Sequence, residues 1–173
     1  MKRVTLAFMG AICLVVSASI VHAEKKFTYS LHGVTFDSSL EFSSPEKAGT
    51  DALLMLHPKK SKAGKEKMGI TAVLFDRNAQ KLMGMKDAGF LNYTRTVFMG
   101  SADAGKPITR LFAGKKIQGQ VLNKKIPVPS TIEVYVITLA KGNKIGLGFN
   151  YSQDMNAGEA QKVIAEIGQS LRE

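Results

Sequence analysis

Near the end of this chain the hydrophobic period changes from two to about 3.6, and that change constrains the fold more than any other feature. Ile145, Leu147, Phe149 and Tyr151 alternate with Gly146, Gly148 and Asn150, as a strand with one apolar face requires. Shortly afterwards Ala160, Val163, Ile164, Ile167 and Leu171 recur at three and four, which makes a continuous stripe along one side of a helix. Glu159, Lys162, Glu166 and Gln169 face away from it. Asp154 or Asn156 caps this helix, and Glu159 stands three residues after Asn156 in a capping-box arrangement. A strand followed by a one-sided helix predicts a helix lying on a sheet.

The upstream chain supplies the rest of that sheet. Phe27, Tyr29 and Leu31 alternate, His32-Gly33 turns, and Val34 and Phe36 resume the alternation, so a β-hairpin is expected. Ser44-Pro45-Glu46-Lys47 has the signature of a short helix start. Ala52–Leu56 and Met68–Phe75 read as strands, joined by the lysine-bearing loop 58–67. After Asp76 the spacing predicts one helix that buries Ala79, Leu82, Met83, Lys86, Phe90 and Leu91 along a single face, despite Gly84 and Gly89. Tyr93–Met99 either extends this helix or forms a strand; the residue types favour a strand and the spacing does not decide. Ser101–Pro107 reads as a polar connection, followed by a meander of Ile108–Phe112, Ile117–Leu122, Thr131–Leu139 and Lys144–Tyr151. The expected class is α+β, an antiparallel β-sheet with helices packed on it and a closing C-terminal amphipathic helix.

The N-terminus speaks to compartment. Lys2 and Arg3 precede an apolar run from Val4 to Val16, and Val21-His22-Ala23 offers small residues at the positions a signal peptidase reads. Residues 1–23 are expected to be a signal peptide of bacterial type, with Ala18 as the other cleavage site, leaving one α+β domain over 24–173. The run is too short for a retained span, and bulky Ile12 before Cys13 argues against a lipoprotein cysteine. Removing the segment takes away the only cysteine, so neither disulfides nor thiolate chemistry is expected. It also leaves 22 lysines and arginines against 14 acids, a balance of +8. Such a charge favours anionic partners, and export disfavours nucleic acid among them. Asn92-Tyr93-Thr94 and Asn150-Tyr151-Ser152 match the glycosylation sequon but count for nothing in a bacterial protein.

The order of these elements, from the hairpin at Phe27 to the last helix ending Gly-Gln-Ser-Leu-Arg, resembles the PsbP-like fold of extrinsic photosystem proteins and small exported bacterial proteins. That resemblance implies a non-enzymatic binding or accessory role and carries over no functional residue.

Candidate chemistry is sparse. His32 and His57 have no second ligand at helical or strand spacing and no nucleophile motif beside them, so neither a metal site nor a catalytic site is expected. Met68, Met83, Met85, Met99 and Met155 invite a Cu(I) reading, but Met83 and Met85 diverge on a helix, and core filling explains thioethers more simply. No cofactor is expected. Lys59, Lys60, Lys62, Lys65 and Lys67 are the candidate contacts to an anionic envelope surface or acidic protein, supported by Lys115, Lys116, Lys124, Lys125, Lys141 and Lys144 in other turns. Gly146 and Gly148 clear one face of the last strand, so Glu133, Gly146, Gly148 and Asn150 are a candidate cleft for a small molecule or an enzymatic reaction, although close helix packing explains such glycines more often. The expected function is an exported, non-enzymatic binding or accessory protein without a membrane span after cleavage. A cleft-based small-molecule binder or enzyme and a structural component of an envelope assembly are the other readings, and oligomeric state is not legible.

Overall fold

A computed structural model describes residues 25–49, 52–56, 67–99, 105–124 and 129–173. The expected signal peptide, His57, Lys59, Lys60, Lys62, Lys65 and Lys125 lie outside these residues. The chain is α+β. Phe27–Leu31 (β1) and Val34–Ser38 (β2) form a separate hairpin. Its turn places His32 and Gly33 at φ 53° and 78°, the paired positive values that match the twist of a two-residue hairpin.

The main sheet is antiparallel and seven-stranded. Its strands are Glu46–Lys47 (β3), Ala52–Leu56 (β4), Met68–Phe75 (β5), Lys106–Phe112 (β6), Lys115–Lys124 (β7), Ser130–Thr138 (β8) and Lys144–Ser152 (β9). They lie in the order β3-β4-β5-β9-β8-β7-β6. Glu46 and Lys47 therefore extend as an edge strand against Leu54 and Leu53, where the Ser-Pro signature predicted a helical turn. Pairing with β4 outweighs that local cap signal. Ala113 and Gly114, at φ 47° and 77°, turn β6 into β7 as His32-Gly33 turns β1 into β2.

The helices are Arg77–Met83 (α1), Asp87–Met99 (α2) and Ala157–Ser170 (α3). One continuous helix after Asp76 was expected, and the chain makes two. Gly84 adopts φ 59° and its N–H closes on the Gln80 carbonyl, a left-handed C-cap that ends α1. The break changes the phase, so Leu82 is 88% exposed and Lys86 is also exposed, while Phe90 is buried. Tyr93–Met99 continues α2 as helix, which lets Thr94 and Phe98 of this segment pack on the sheet.

Each face of the sheet has its own core. On one face Ile70, Ala72, Tyr135, Leu147 and Phe149 meet Val163, Ile164 and Ile167 of α3, together with Leu31, Val34 and Phe36 of the hairpin. Asn156 caps α3 by accepting from the Gly158 N–H, and the predicted apolar stripe of that helix is buried. Glu166 is an exception to the outward set, since its carboxylate accepts from the Ser39 N–H at 2.9 Å. Ser170 and Arg172 complete this clamp: Ser170 Oγ accepts from the Asp37 N–H at 2.8 Å, and Arg172 reaches the Asp37 carboxylate at 3.1 Å. On the other face Val73, Phe75, Ile132 and Val134 pack with Phe90, Leu91 and Phe98 of α2.

Candidate functional site

Three places on the sheet gather chemistry. The first is buried on the α3 face. Glu133 on β8 is 1% exposed, and all its acceptor capacity is taken up. Arg110 on β6 donates from Nη2 to Oε1 at 2.9 Å and from Nε to Oε2 at 3.2 Å. The Tyr135 hydroxyl donates to Oε2 at 2.5 Å and the Tyr151 hydroxyl to Oε1 at 3.0 Å. The register explains how Arg110 reaches over β7. Ile108, Gly119 and Tyr135 stand in one row between Arg110 and Glu133, and a Cβ at Gly119 would lie 2.4 Å from the Tyr135 ring. Only a residue without a side chain lets that ring come so close to the β7 backbone. Burial and the neighbouring carboxylate raise Tyr151 to about 12 and push Tyr135 higher still. The hydrogen bonds to Glu133 hold Arg110 charged against the cost of its partial burial. This cluster ties an edge strand to the sheet centre. A carboxylate with four donors on it and 1% exposure is not poised to receive a ligand.

The second place is the glycine face of β9. A Cβ at Gly146 would lie 2.7 Å from Thr94, and one at Gly148 would lie 2.5 Å from the Phe98 ring, so α2 seats directly on the backbone there. Asn150 is exposed further along this face. Glu133, paired with Phe149, points to the opposite face into the Arg110 cluster. The four candidate cleft residues are therefore not brought together: two are covered by a helix, one is exposed and one is buried behind the sheet.

The third place is an end of the sheet, and it divides the lysines. Lys67 at the start of β5, Lys106 at the start of β6 and Lys124 at the end of β7 lie at one end. Of the five candidate loop lysines, Lys67 alone falls among the described residues, and it is exposed. Lys115 and Lys116 at the start of β7, and Lys141 and Lys144 around the β8–β9 turn, lie at the opposite end. There a cleft of about 440 Å³ opens between α2 and β7, lined by Lys115, Lys116, Lys144, Asp87, Leu91 and Gln118 among others. Lys144 is held in place. Its ammonium sits 2.9 Å from Asp87 and 2.8 Å from the Thr138 hydroxyl, 5.9 Å above the Phe90 ring. Lys115 and Lys116 are exposed and point their charge at solvent. His32, weighed as a catalytic base from sequence, sits in the β1–β2 turn and lines a separate groove of about 510 Å³ with Lys47, Phe75 and Tyr93. Met68 and Met155 fill the α3-face core as the sequence suggested, whereas Met85 lies exposed at the α1–α2 break.

Sheet order, one-sided helices and the separate hairpin define a known α+β architecture. The fold is similar to that of the Saccharomyces cerevisiae Ran-binding protein Mog1p, with a TM-score of 0.54 at 9% identity, covering 87% of this chain and 96% of that one. It is also similar to a Bacteroides thetaiotaomicron protein, with a TM-score of 0.50 at 12% identity over 86% of this chain. This chain spans 47% of that second protein. No protein-family model matches the sequence, and no curated protein matches it. At such identities the likeness is one of fold. Among the described residues no helix is long and apolar enough to cross a membrane.

Proposed function

We propose that this is an exported, non-enzymatic binding or accessory protein whose anionic partner is met at the end of the sheet carrying Lys115, Lys116, Lys141 and Lys144. The observation that carries this reading is the convergence of lysines from two separate turns around one end, with three of them lining a single cleft. Spread over the surface, the same charges would contribute little beyond solubility; gathered, they raise the local concentration of anions. The Mog1p likeness, a fold shared with a protein described as Ran-binding, supports a binding role, as does the PsbP-like order of elements in the sequence. Export rests on the N-terminal segment, and N-terminal sequencing of the mature protein should begin at Glu24.

Elution from phosphocellulose tests the site. Lys115→Ala with Lys116→Ala should lower the eluting salt concentration by more than Lys67→Ala with Lys106→Ala, which removes equal charge from the opposite end. The reverse order would overturn this placement and move the contact to the loop lysines.

A further inference from the structure

Five large apolar side chains are strongly exposed among the described residues, and four of them belong to α1, α2 and the link between them: Leu82, Met85, Tyr93 and Val97. Two of the four stand at the break itself. Leu82 is 88% exposed and Met85 is 40% exposed, in the run Lys81-Leu82-Met83-Gly84-Met85-Lys86. The left-handed Gly84 creates this corner by ending α1 before its last turn can roll Leu82 onto the sheet. Lys81 and Lys86 flank the corner and are both exposed.

The surroundings are cationic. The corner leads into Asp87, which is bound to Lys144, so it sits at the same end of the sheet as the lysines of the cleft. Arg77, at the start of α1, donates to the Lys141 carbonyl at 2.7 Å and so belongs to this end as well. The acids here are already engaged. Asp76 caps the Ala79 N–H, Asp87 pairs with Lys144, and Glu173 accepts from the Lys141 N–H at 2.8 Å. What remains is a pair of exposed apolar side chains set among cations at this end of the sheet.

We propose that this corner is a contact to an anionic lipid bilayer, with Leu82 and Met85 entering the interfacial region and Lys81, Lys86, Lys115 and Lys116 meeting headgroup phosphates. It rests on the anionic-partner reading and names the partner as a lipid surface. A bilayer suits this arrangement because an extended anionic surface can meet exposed apolar side chains and the cations around them at the same time. A protein partner would instead need a pocket shaped to an 88% exposed leucine. With only two apolar side chains at the corner, the contact is reversible and depends on both the apolar and the charged groups.

The chain contains no tryptophan, which gives a direct test. The expected mature chain, residues 24–173, is the form to use. Leu82→Trp should shift its emission to the blue on phosphatidylglycerol-containing vesicles and not on phosphatidylcholine alone. Leu82→Ser with Met85→Ser, which removes the apolar side chains without changing charge, should weaken cosedimentation with the anionic vesicles by about tenfold or more. Both substituted positions are exposed, so the fold should survive, as an unchanged thermal midpoint would confirm, and phosphocellulose elution should be unaltered because no charge changes. No emission shift, or vesicle binding equal to that of the unsubstituted chain, would overturn the lipid contact while leaving the anionic-partner reading intact. If Lys115→Ala with Lys116→Ala alters neither vesicle binding nor matrix elution, the anionic-partner reading falls with it.

Discussion

The two faces of the sheet are closed in different ways. On the α3 face the gap between helix and sheet is filled by long side chains, and the strands contribute Tyr135, Leu147 and Phe149 to meet a continuous apolar stripe. On the α2 face the gap is made small, because Gly146 and Gly148 remove the strand's side chains and Thr94 and Phe98 rest on bare backbone. The first solution is tolerant of exact position and can hold a buried ion pair. The second depends on contact distances that a single added carbon would violate. The face with a glycine floor is also the face whose helix is broken and whose apolar residues spill outward at Leu82, Met85, Tyr93 and Val97.

The largest expected effect lies on the thick face. Glu133→Leu strands a partly buried guanidinium and two tyrosine hydroxyls, and should cost about 3–5 kcal/mol in urea unfolding. Pairing it with Arg110→Leu should recover much of that loss, since a buried ion pair is often replaceable by apolar contact. If the single variant costs less than the double, the cluster does not tie β6 to the sheet as described. The thin face breaks differently. Gly148→Ala puts a Cβ 2.5 Å from the Phe98 ring and should cost about 1–3 kcal/mol by displacing α2, read as earlier amide exchange in α2 than in α3. Uniform loss of protection across both helices would show that the two faces are not independently closed.

The smallest effect concerns pH. Tyr151 and Tyr135 have raised folded-state values, so their contribution is fully present below about 10, the ordinary tyrosine value, and is lost as pH rises toward 12. Thermal midpoints should fall over that alkaline window, and Tyr151→Phe should flatten the fall. A parallel decline in both proteins would assign the alkaline loss to other groups.

Most of the α3 face was legible in the sequence, because its elements carry strong periods of their own. The alternation at 145–151, the stripe at 160–171 and the hairpin at 27–36 all have local physical signatures, and each appears where expected. The α2 face was less legible. Spacing alone aligned Leu82 with Phe90, but a single left-handed residue at Gly84 reset the phase between them. Glu133 was named only as a polar group beside the glycine face of β9, whereas it lies on the opposite face. Its partners were not legible, since Arg110 lies 23 residues away on β6 and reaches Glu133 across β7. The same holds for the lysines, whose grouping depends on which strand ends are adjacent.

The class of fold, the closing helix and the excess of positive charge are all readable from the residues alone, and the helix cap is narrowed to Asp154 or Asn156. These follow from side-chain period and composition, which act over a few residues. Only the tertiary structure decided that the glycine face is occupied by a helix, that a buried carboxylate is clasped from β6, and that lysines from separate turns share one end with an exposed leucine. Strand order and register set those distances, and they arise from pairings between residues far apart in the chain.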